Sequence, residues 1–351
     1  MGTQMIRCSE VCTGKVCGLG SLRELLNVAV QVSSINGYAP TRTVLSLVIM
    51  VCFLGTWSNA QVLDLSKESL IEITRDWKGD RFPDGRPKVP DQVLERMKKV
   101  ALEEAWSVLR GNGYHHQFEG SLVNIHPERV LVGRAVTASY VPTRPDLQNY
   151  VSEKGERDGR IGEGATNSWV IDTLVEGDVM CINLFGKVIQ GTFTGGNLAN
   201  ATKSNGANGM VIDGGIRDLD DTYDIEDFNL FVRGYDPSGW GRSVDLVNLN
   251  GPTRIGRATV MPGDVVLGRR GGVIFIPAHL AENVVKTSEV VRLRDDFGYQ
   301  RMAEGKYTPG QIDTRWTEEI ESDFLQWLDD HLDEIYISKD EIQHYLKHRT
   351  W

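Results

Sequence analysis

The chain has 351 residues, 40% of them hydrophobic and 25% charged, values of an ordinary globular protein with a sizeable core, so wholesale disorder is excluded. Lys and Arg number 38 against 48 Asp and Glu, a net charge of −10 that opposes the phosphate neutralisation on which nucleic-acid binding rests. No nucleic acid is expected among its partners.

Residues 1–60 read as a leader. The apolar run Val44 to Leu54 follows Arg42 and ends in Gly55 and Ser58-Asn59-Ala60, a small-x-small sequence that suits signal peptidase. The run falls well short of the roughly 20 residues that span a bilayer. Cleavage is the favoured reading, with an uncleaved anchor or a buried helix as alternatives. Cys8, Cys12, Cys17 and Cys52 lie in this segment and only Cys181 lies beyond it, which excludes a disulfide framework for the main body. The expectation is a periplasmic or secreted protein with no stable membrane span after cleavage.

Residues 61–92 read as an N-terminal linker. From Asp91 to Gly111, Val93, Leu94, Met97, Val100, Ala101, Ala105, Val108 and Leu109 recur at helical spacing, which predicts one helix closed by Gly111 and Gly113. Short apolar runs then begin at Val130, Gly177, Gly209, Phe231 and Gly263 and read as buried strands, with Gly177-Asp178 and Gly263-Asp264 as tight turns leading into two of them. The charged, Gly-rich stretch Thr143 to Gly164 reads as an insertion or lid, or as a plain solvated loop. Asn197 to Asn205 has the length of a helix and sits between two strands, giving a strand-helix-strand unit. Beyond Pro277 the pattern turns helical: Ile320, Phe324, Trp327, Leu328, Leu332 and Ile335 form a stripe, and Ser338 with Glu341 makes a capping box. The fold class is α/β with a C-terminal helical extension, residues 291–351.

Chemistry concentrates between Gly191 and Asp221. A Gly-rich turn, Gly195-Gly196, opens the helix, and the first backbone N–H groups near Asn197, Leu198 and Ala199 are expected to be free to hold an anion. The following strand, Met210 to Asp213, delivers Gly214 and Gly215, then Arg217 and Asp218. A cation, a carboxylate and an N–H cradle thus converge at neighbouring strand ends, where open α/β sheets place ligands. A plain surface ion pair of Arg217 with Asp218 is the competing reading.

These residues carry a resemblance to the RraA-like superfamily, whose catalytic members are divalent-metal aldolases of 4-hydroxy-4-methyl-2-oxoglutarate and 4-carboxy-4-hydroxy-2-oxoadipate, often with oxaloacetate decarboxylase activity. Twenty residues separate Gly196 from Arg217, and Asp218 and Asp221 follow in the register of the family motif. Gly206, Gly209 and Asp213 match as well, and the likeness runs through GRAVTA (Gly133 to Ala138), GDVMCIN, PGDVVLG and GGVIFIP, over residues 93–290. The resemblance implies a compact α/β/β domain assembled as homotrimers or homohexamers, with the site at a subunit interface. It implies that Asp218 holds Mg²⁺ or Mn²⁺ through ordered waters, that Arg217 clamps a substrate carboxylate or hydroxyl, and that Gly195, Gly196 and the N–H groups of Asn197, Leu198 and Ala199 bind the carboxylate of a 2-oxo acid. Cleavage to pyruvate through a metal-stabilised enolate is the implied reaction. Asp221 is implied as a helper through water, with a helix-start carboxylate as its plain reading; for Asp213 structural bracing is expected. Two positions depart from the family: Gly196 stands where aldolase members often carry an acid, and Arg269-Arg270 stand in a segment that is usually acid-rich.

Other chemistries have less behind them. A Schiff-base lysine would be Lys187 or Lys203, each more simply a surface residue. Zinc would need more than His115-His116 and the pair His344 and His348. No strand-anchored GxGxG loop supports methyl transfer. A non-catalytic binding or regulatory oligomer with a degenerate site is the alternative from a different class. The sequon Asn200-Ala201-Thr202 lies on the cradle helix, where a glycan would block the site.

Overall fold

In a computed structural model, residues 64–160, 166–241, 243–331, 338 and 342 are described. All of them lie in the unit formed by residues 61–351. The leader with its four cysteines, and Leu332, Ile335, Glu341, His344 and His348, fall outside the described residues.

Residues 64–90, expected as a linker, are folded. Helix α1 (Lys67–Ile73) is capped by Ser66, whose hydroxyl accepts the Ser69 N–H. A turn at Phe82 to Arg86 then drives Arg86 to 1% exposure, where its guanidinium meets both oxygens of the buried Asp178 at 3.2 Å and Asp84 at 2.7 Å. Burial pushes the Asp178 pKa up and the Arg86 charge opposes that rise.

The single helix expected from Asp91 is two, α2 (Asp91–Met97) and α3 (Leu102–Gly111). Ala101 is extended, and its N–H donates to Glu104 Oε2 at 2.7 Å. The carbonyls freed at the break are taken by arginines: Lys98 O by Arg269, and Lys99 O by Arg292 at 3.0 Å. Periodicity survives the break because Met97, Val100 and Ala105 all stay buried.

Short strands β1 (Phe118–Glu119) and β2 (Val123–Asn124) precede β3 (Leu131–Pro142). The expected insertion or lid is helix α4 (Pro145–Arg157), started by Pro145 at its first turn, with Val151 as its buried contact. Charge hid it, because a helix with one narrow apolar stripe reads as a solvated loop. Then come α5 (Thr166–Ile171), β4 (Asp178–Asn183), α6 (Gly196–Ser204), β5 (Gly209–Ile216), α7 (Leu219–Tyr223), β6 (Asn229–Tyr235) and β7 (Val244–Leu249). A hairpin of β8 (Thr253–Ile255) and β9 (Ala258–Val260) leads to β10 (Val265–Arg269) and β11 (Gly272–Ile276). Gly177 and Gly263 have φ of 81° and 83°, as the turns before β4 and β10 require.

The main sheet has nine strands in the order β1-β11-β10-β3-β4-β5-β6-β2, with β7 on β3. Its centre, β3-β4-β5-β6, is parallel, and both flanks are antiparallel. Alternate residues face opposite layers. Met180, Ile182, Met210 and Ile212 pack under the helices, whereas Val179, Cys181, Val211 and Phe231 pack against Ile255, Ala258 and Val260 of the small hairpin. Helices, sheet and hairpin thus form the expected α/β/β layers.

The later turns of α8 (Ala281–Ala303), with α9 (Pro309–Ile312) and α10 (Glu318–Asp330), form the C-terminal extension. Val290, Leu293, Phe297, Trp316, Phe324 and Trp327 build a core of their own there. Among the described residues no helix is long and apolar enough to cross a membrane.

Candidate functional site

The sheet brings the C-terminal ends of β4 and β5 side by side. Past β4, the segment Leu184 to Gly196 turns back over the end of β5. Gly214 and Gly215 permit this: a Cβ on Gly214 would stand 2.7 Å from Leu184 Cβ, and one on Gly215 would stand 3.0 Å from Val188 Cα. Hydrogen bonds then zip the two arms, Gly215 N to Lys187 O at 2.8 Å, Phe193 N to Gly215 O at 2.8 Å and Arg217 N to Thr194 O at 3.0 Å. This places the Gly195-Gly196 turn directly against Arg217 and Asp218.

Asp218 is the N-cap residue of α7 in a left-handed conformation, φ 52° and ψ 52°. The turn swings its carboxylate to the start of α6, where Oδ2 accepts the Gly196 N–H at 3.1 Å and lies 3.5 Å from Arg217 Nε. A carboxylate at a helix N-terminus is electrostatically favoured. The Asp218 side chain is 43% exposed and that of Arg217 25% exposed. Arg217 Nη1, in contrast, is buried with no hydrogen-bond partner among the described residues, a charged donor kept in place without an acceptor.

The structure brings Gly195, Gly196, Asn197, Leu198, Arg217, Asp218 and Asp221 together. It changes the expected donor set: the Ala199 N–H donates to Gly195 O at 3.0 Å as the first bond of the helix. Among the described residues no acceptor meets the N–H groups of Asn197 and Leu198, so the cradle of three free donors is reduced to two. Asp221 stands on the first turn of α7, and a Cβ on Gly196 would be 2.8 Å from Asp221 Cβ and 3.0 Å from its Oδ2. A Cβ on Gly195 would fall inside van der Waals contact of Asp218 Oδ2 and 2.9 Å from Arg217 Cγ and Cζ. Both glycines are therefore set by close approach of the opposite arm.

Asp213 points away from this site and braces the fold. Its Oδ1 accepts Arg233 Nε at 2.6 Å, its Oδ2 accepts the Gly256 N–H at 3.0 Å, and Arg233 also lies 3.6 Å from the buried Glu119. Lys187 and Lys203 donate to the carbonyls of Ile189 and Asp227. His115 and His116 are exposed, and among the described residues no three His, Cys, Asp or Glu side chains form a metal-binding group. Arg269 sits at the α2–α3 break rather than at the site.

Residues not singled out from the sequence hold the site in shape. Asn167, buried on α5, donates to Phe193 O at 2.9 Å, and Phe193 packs edge-on against Tyr140 and Trp240. Gln190, Gly191 and Thr192 bond to Asp236 and Ser238, which follow β6. The run Asp236-Pro237-Ser238-Gly239 is a recognisable turn signal, but its destination is not written locally.

Comparison with known proteins bears on the family and the fold. The family model RraA-like, described as Aldolase/RraA, matches residues 92–275. A protein of Halalkalibacterium halodurans named "Putative 4-hydroxy-4-methyl-2-oxoglutarate aldolase" is 28% identical over 164 residues, which cover 43% of this chain and 75% of that protein. Protein DlpA of Legionella pneumophila is 28% identical over 182 residues, 51% of this chain and 27% of its own length. Among solved structures, RraAS2 of Streptomyces coelicolor, described as an unusual member of the RNase ES inhibitor RraA protein family, superposes with a TM-score of 0.52 at 20% identity, covering 64% of this chain and 100% of that one. An uncharacterized protein from Pseudomonas syringae pv. tomato has the same TM-score at 22% identity, covering 64% and 98%. At these identities the solved structures bear on the fold alone.

Proposed function

The chain belongs to the RraA-like family, Aldolase/RraA, and from that premise we propose that it is a divalent-metal-dependent lyase that cleaves 4-hydroxy-2-oxo acids of the 4-hydroxy-4-methyl-2-oxoglutarate type, releasing pyruvate, and that also decarboxylates oxaloacetate. The observation that carries this reading is Arg217, whose Nη1 has no hydrogen-bond partner among the described residues, beside a half-exposed carboxylate and a helix start with two N–H groups that meet no acceptor there.

The donor set suits Mg²⁺ or Mn²⁺ rather than zinc, since a hard cation is commonly held by one or two carboxylates and keeps its waters. Asp218 would hold it, and Asp221 would orient one of its waters. When bound, such a cation supplies Lewis-acid polarisation of the substrate's 2-oxo group. The rest falls to the chain itself. The N–H groups of Asn197 and Leu198 bind the carboxylate next to the 2-oxo group, at the positive end of α6. Arg217, whose side chain is 25% exposed, donates to the second carboxylate or the 4-hydroxyl. Gly195 and Gly196 keep the backbone bare so that substrate and Asp218 approach it together. Trimeric or hexameric assembly, and export with loss of the leader, belong to the same proposal.

Pyruvate release from oxaloacetate and from 4-hydroxy-4-methyl-2-oxoglutarate tests it, with Mg²⁺, with Mn²⁺ and with excess EDTA. Saturable release that EDTA abolishes and Asp218→Ala removes is the expected result. Full activity of Asp218→Ala, or no release above the metal-only control, overturns it. The latter outcome belongs to the second reading, a non-catalytic binding oligomer. That reading is favoured by Gly196, which offers no acid at its position and whose Cβ space Asp221 closes.

A further inference from the structure

The two arms of the site are separate in sequence, and one short loop after β6 ties both. On one side the Asp236 N–H donates to Ile216 O at 3.1 Å, on the residue just before Arg217. On the other side Asp236 Oδ1 accepts the Gln190 N–H at 3.3 Å, and the same oxygen accepts the Ser238 N–H at 3.0 Å and the Ser238 hydroxyl. Ser238 carries the clasp forward: its Oγ accepts the Gly191 N–H at 3.1 Å and its carbonyl accepts the Thr192 hydroxyl at 2.8 Å. Three residues later the chain is at Gly195. Trp240, in the same loop, closes on Phe193 with ring centroids 5.7 Å apart.

The segment so held needs holding. Phe185 and Gln190 have φ of 45° and 55°, left-handed values that a non-glycine residue adopts at a cost, and Ile189 is 70% exposed, so little apolar burial pins the loop. Hydrogen bonds to β5 hold the segment at Lys187 and Phe193, and the 236–238 loop holds Gln190 to Thr192 between them. The Asp236 carboxylate is well suited: bonds from the Ser238 hydroxyl, the Ser238 N–H and the Gln190 N–H favour its charged form and hold its pKa below the usual carboxylate value.

We propose that Asp236, acting through Ser238, is a positioning residue that sets the distance between the anion cradle at Gly195 to Leu198 and the Arg217-Asp218 arm. Asp236 touches no substrate in this scheme. It acts through the backbone of Gln190 and Ile216. The inference rests on the proposed lyase site for its kinetic part and on the fold alone for its structural part.

The test compares wild type, Asp236→Ala, Asp236→Asn and Ser238→Ala in the full chain by amide hydrogen exchange and by pyruvate-release kinetics. Exchange at Gln190 and Gly191 is expected to quicken at least tenfold in Asp236→Ala, with exchange in β3, β4 and β5 unchanged. Asp236→Asn is expected to restore most of the protection, because an amide oxygen still accepts the Gln190 and Ser238 N–H groups. In kinetics, KM is expected to rise about tenfold in Asp236→Ala with a smaller change in kcat, since a carboxylate cradle serves ground state and transition state alike. Unchanged exchange at Gln190 and Gly191 in Asp236→Ala overturns the clasp. Faster exchange with an unchanged KM overturns its positioning role. If wild type releases no pyruvate, the lyase reading fails while the exchange arm still decides the clasp.

Discussion

Asp264→Asn should stabilise the protein, and by an amount that grows with pH. Asp264 lies in the turn before β10, buried, with Oδ2 accepting the Met261 N–H at 2.8 Å and no ion-pair partner among the described residues. Burial pushes its pKa from 3.8 up to about 7. The unfolded chain therefore releases this proton near pH 3.8 and the folded protein keeps it to about pH 7. Between those values the unfolded state binds fewer protons, so rising pH costs stability, and the loss is complete above the folded pKa. At about 1.4 kcal/mol for each tenfold change, the full penalty is about 4 kcal/mol. Asparagine cannot ionise, yet its oxygen keeps the Met261 bond and its amide N–H takes the place of the carboxyl O–H. Urea unfolding at about pH 5 and about pH 8 reads the difference, and the variant's advantage over wild type should grow by about 3 kcal/mol between them. An advantage that stays flat, or shrinks as pH rises, refutes the reasoning.

Three further outcomes follow from close contacts. Gly195→Ala should cut pyruvate release at least tenfold with a thermal midpoint within a few degrees of wild type, because the new Cβ meets the partly exposed side chains of Asp218 and Arg217 rather than backbone or apolar core; full activity would disprove the close approach. Arg86→Met should cost about 3–5 kcal/mol in urea unfolding by leaving Asp178 buried without its cation, and adding Asp178→Asn should recover most of that loss; a double variant no better than the single one would show that Arg86 acts by packing alone. Phe324→Ala should cost about 3–5 kcal/mol in the C-terminal extension and leave pyruvate release unchanged, measured by exchange and by the same assay.

Much of the sheet is legible because its central strands are continuous apolar runs fenced by glycine, and Gly177 and Gly263 do adopt the positive φ that such turns need. The motif from Gly196 to Asp221 is legible for the same reason: glycines there answer to close approach. What escapes the sequence is non-local. Nothing in Asp91 to Gly111 announces a break stabilised by Arg269 and Arg292 from far along the chain. Nothing in Arg86 announces Asp178, 92 residues away. The left-handed turn at Asp218 that carries its carboxylate onto the Gly196 N–H, and the clasp at Asp236, depend on which strand ends become neighbours. Helix α4 escapes for a local reason, since charge covers all but one stripe of it.

Helix α8 carries two loads on one shaft. Ala281, Val284 and Val285 sit in the core beneath the sheet, whereas Val290, Leu293 and Phe297 sit in the aromatic core of the extension. Between them Ser288 donates to Glu104 at 2.6 Å and Glu289 accepts from Nε and Nη2 of Arg96, a polar joint where the helix passes from one core to the other. Cooperativity is broken at such a joint, because apolar contacts on one side are not shared with the other. The extension is thus expected to open on its own free energy, with the amides in the last turns of α8 exchanging faster than those in the first. Loss of its aromatic core would shorten the helix to that joint and leave the strand ends that hold the candidate site undisturbed.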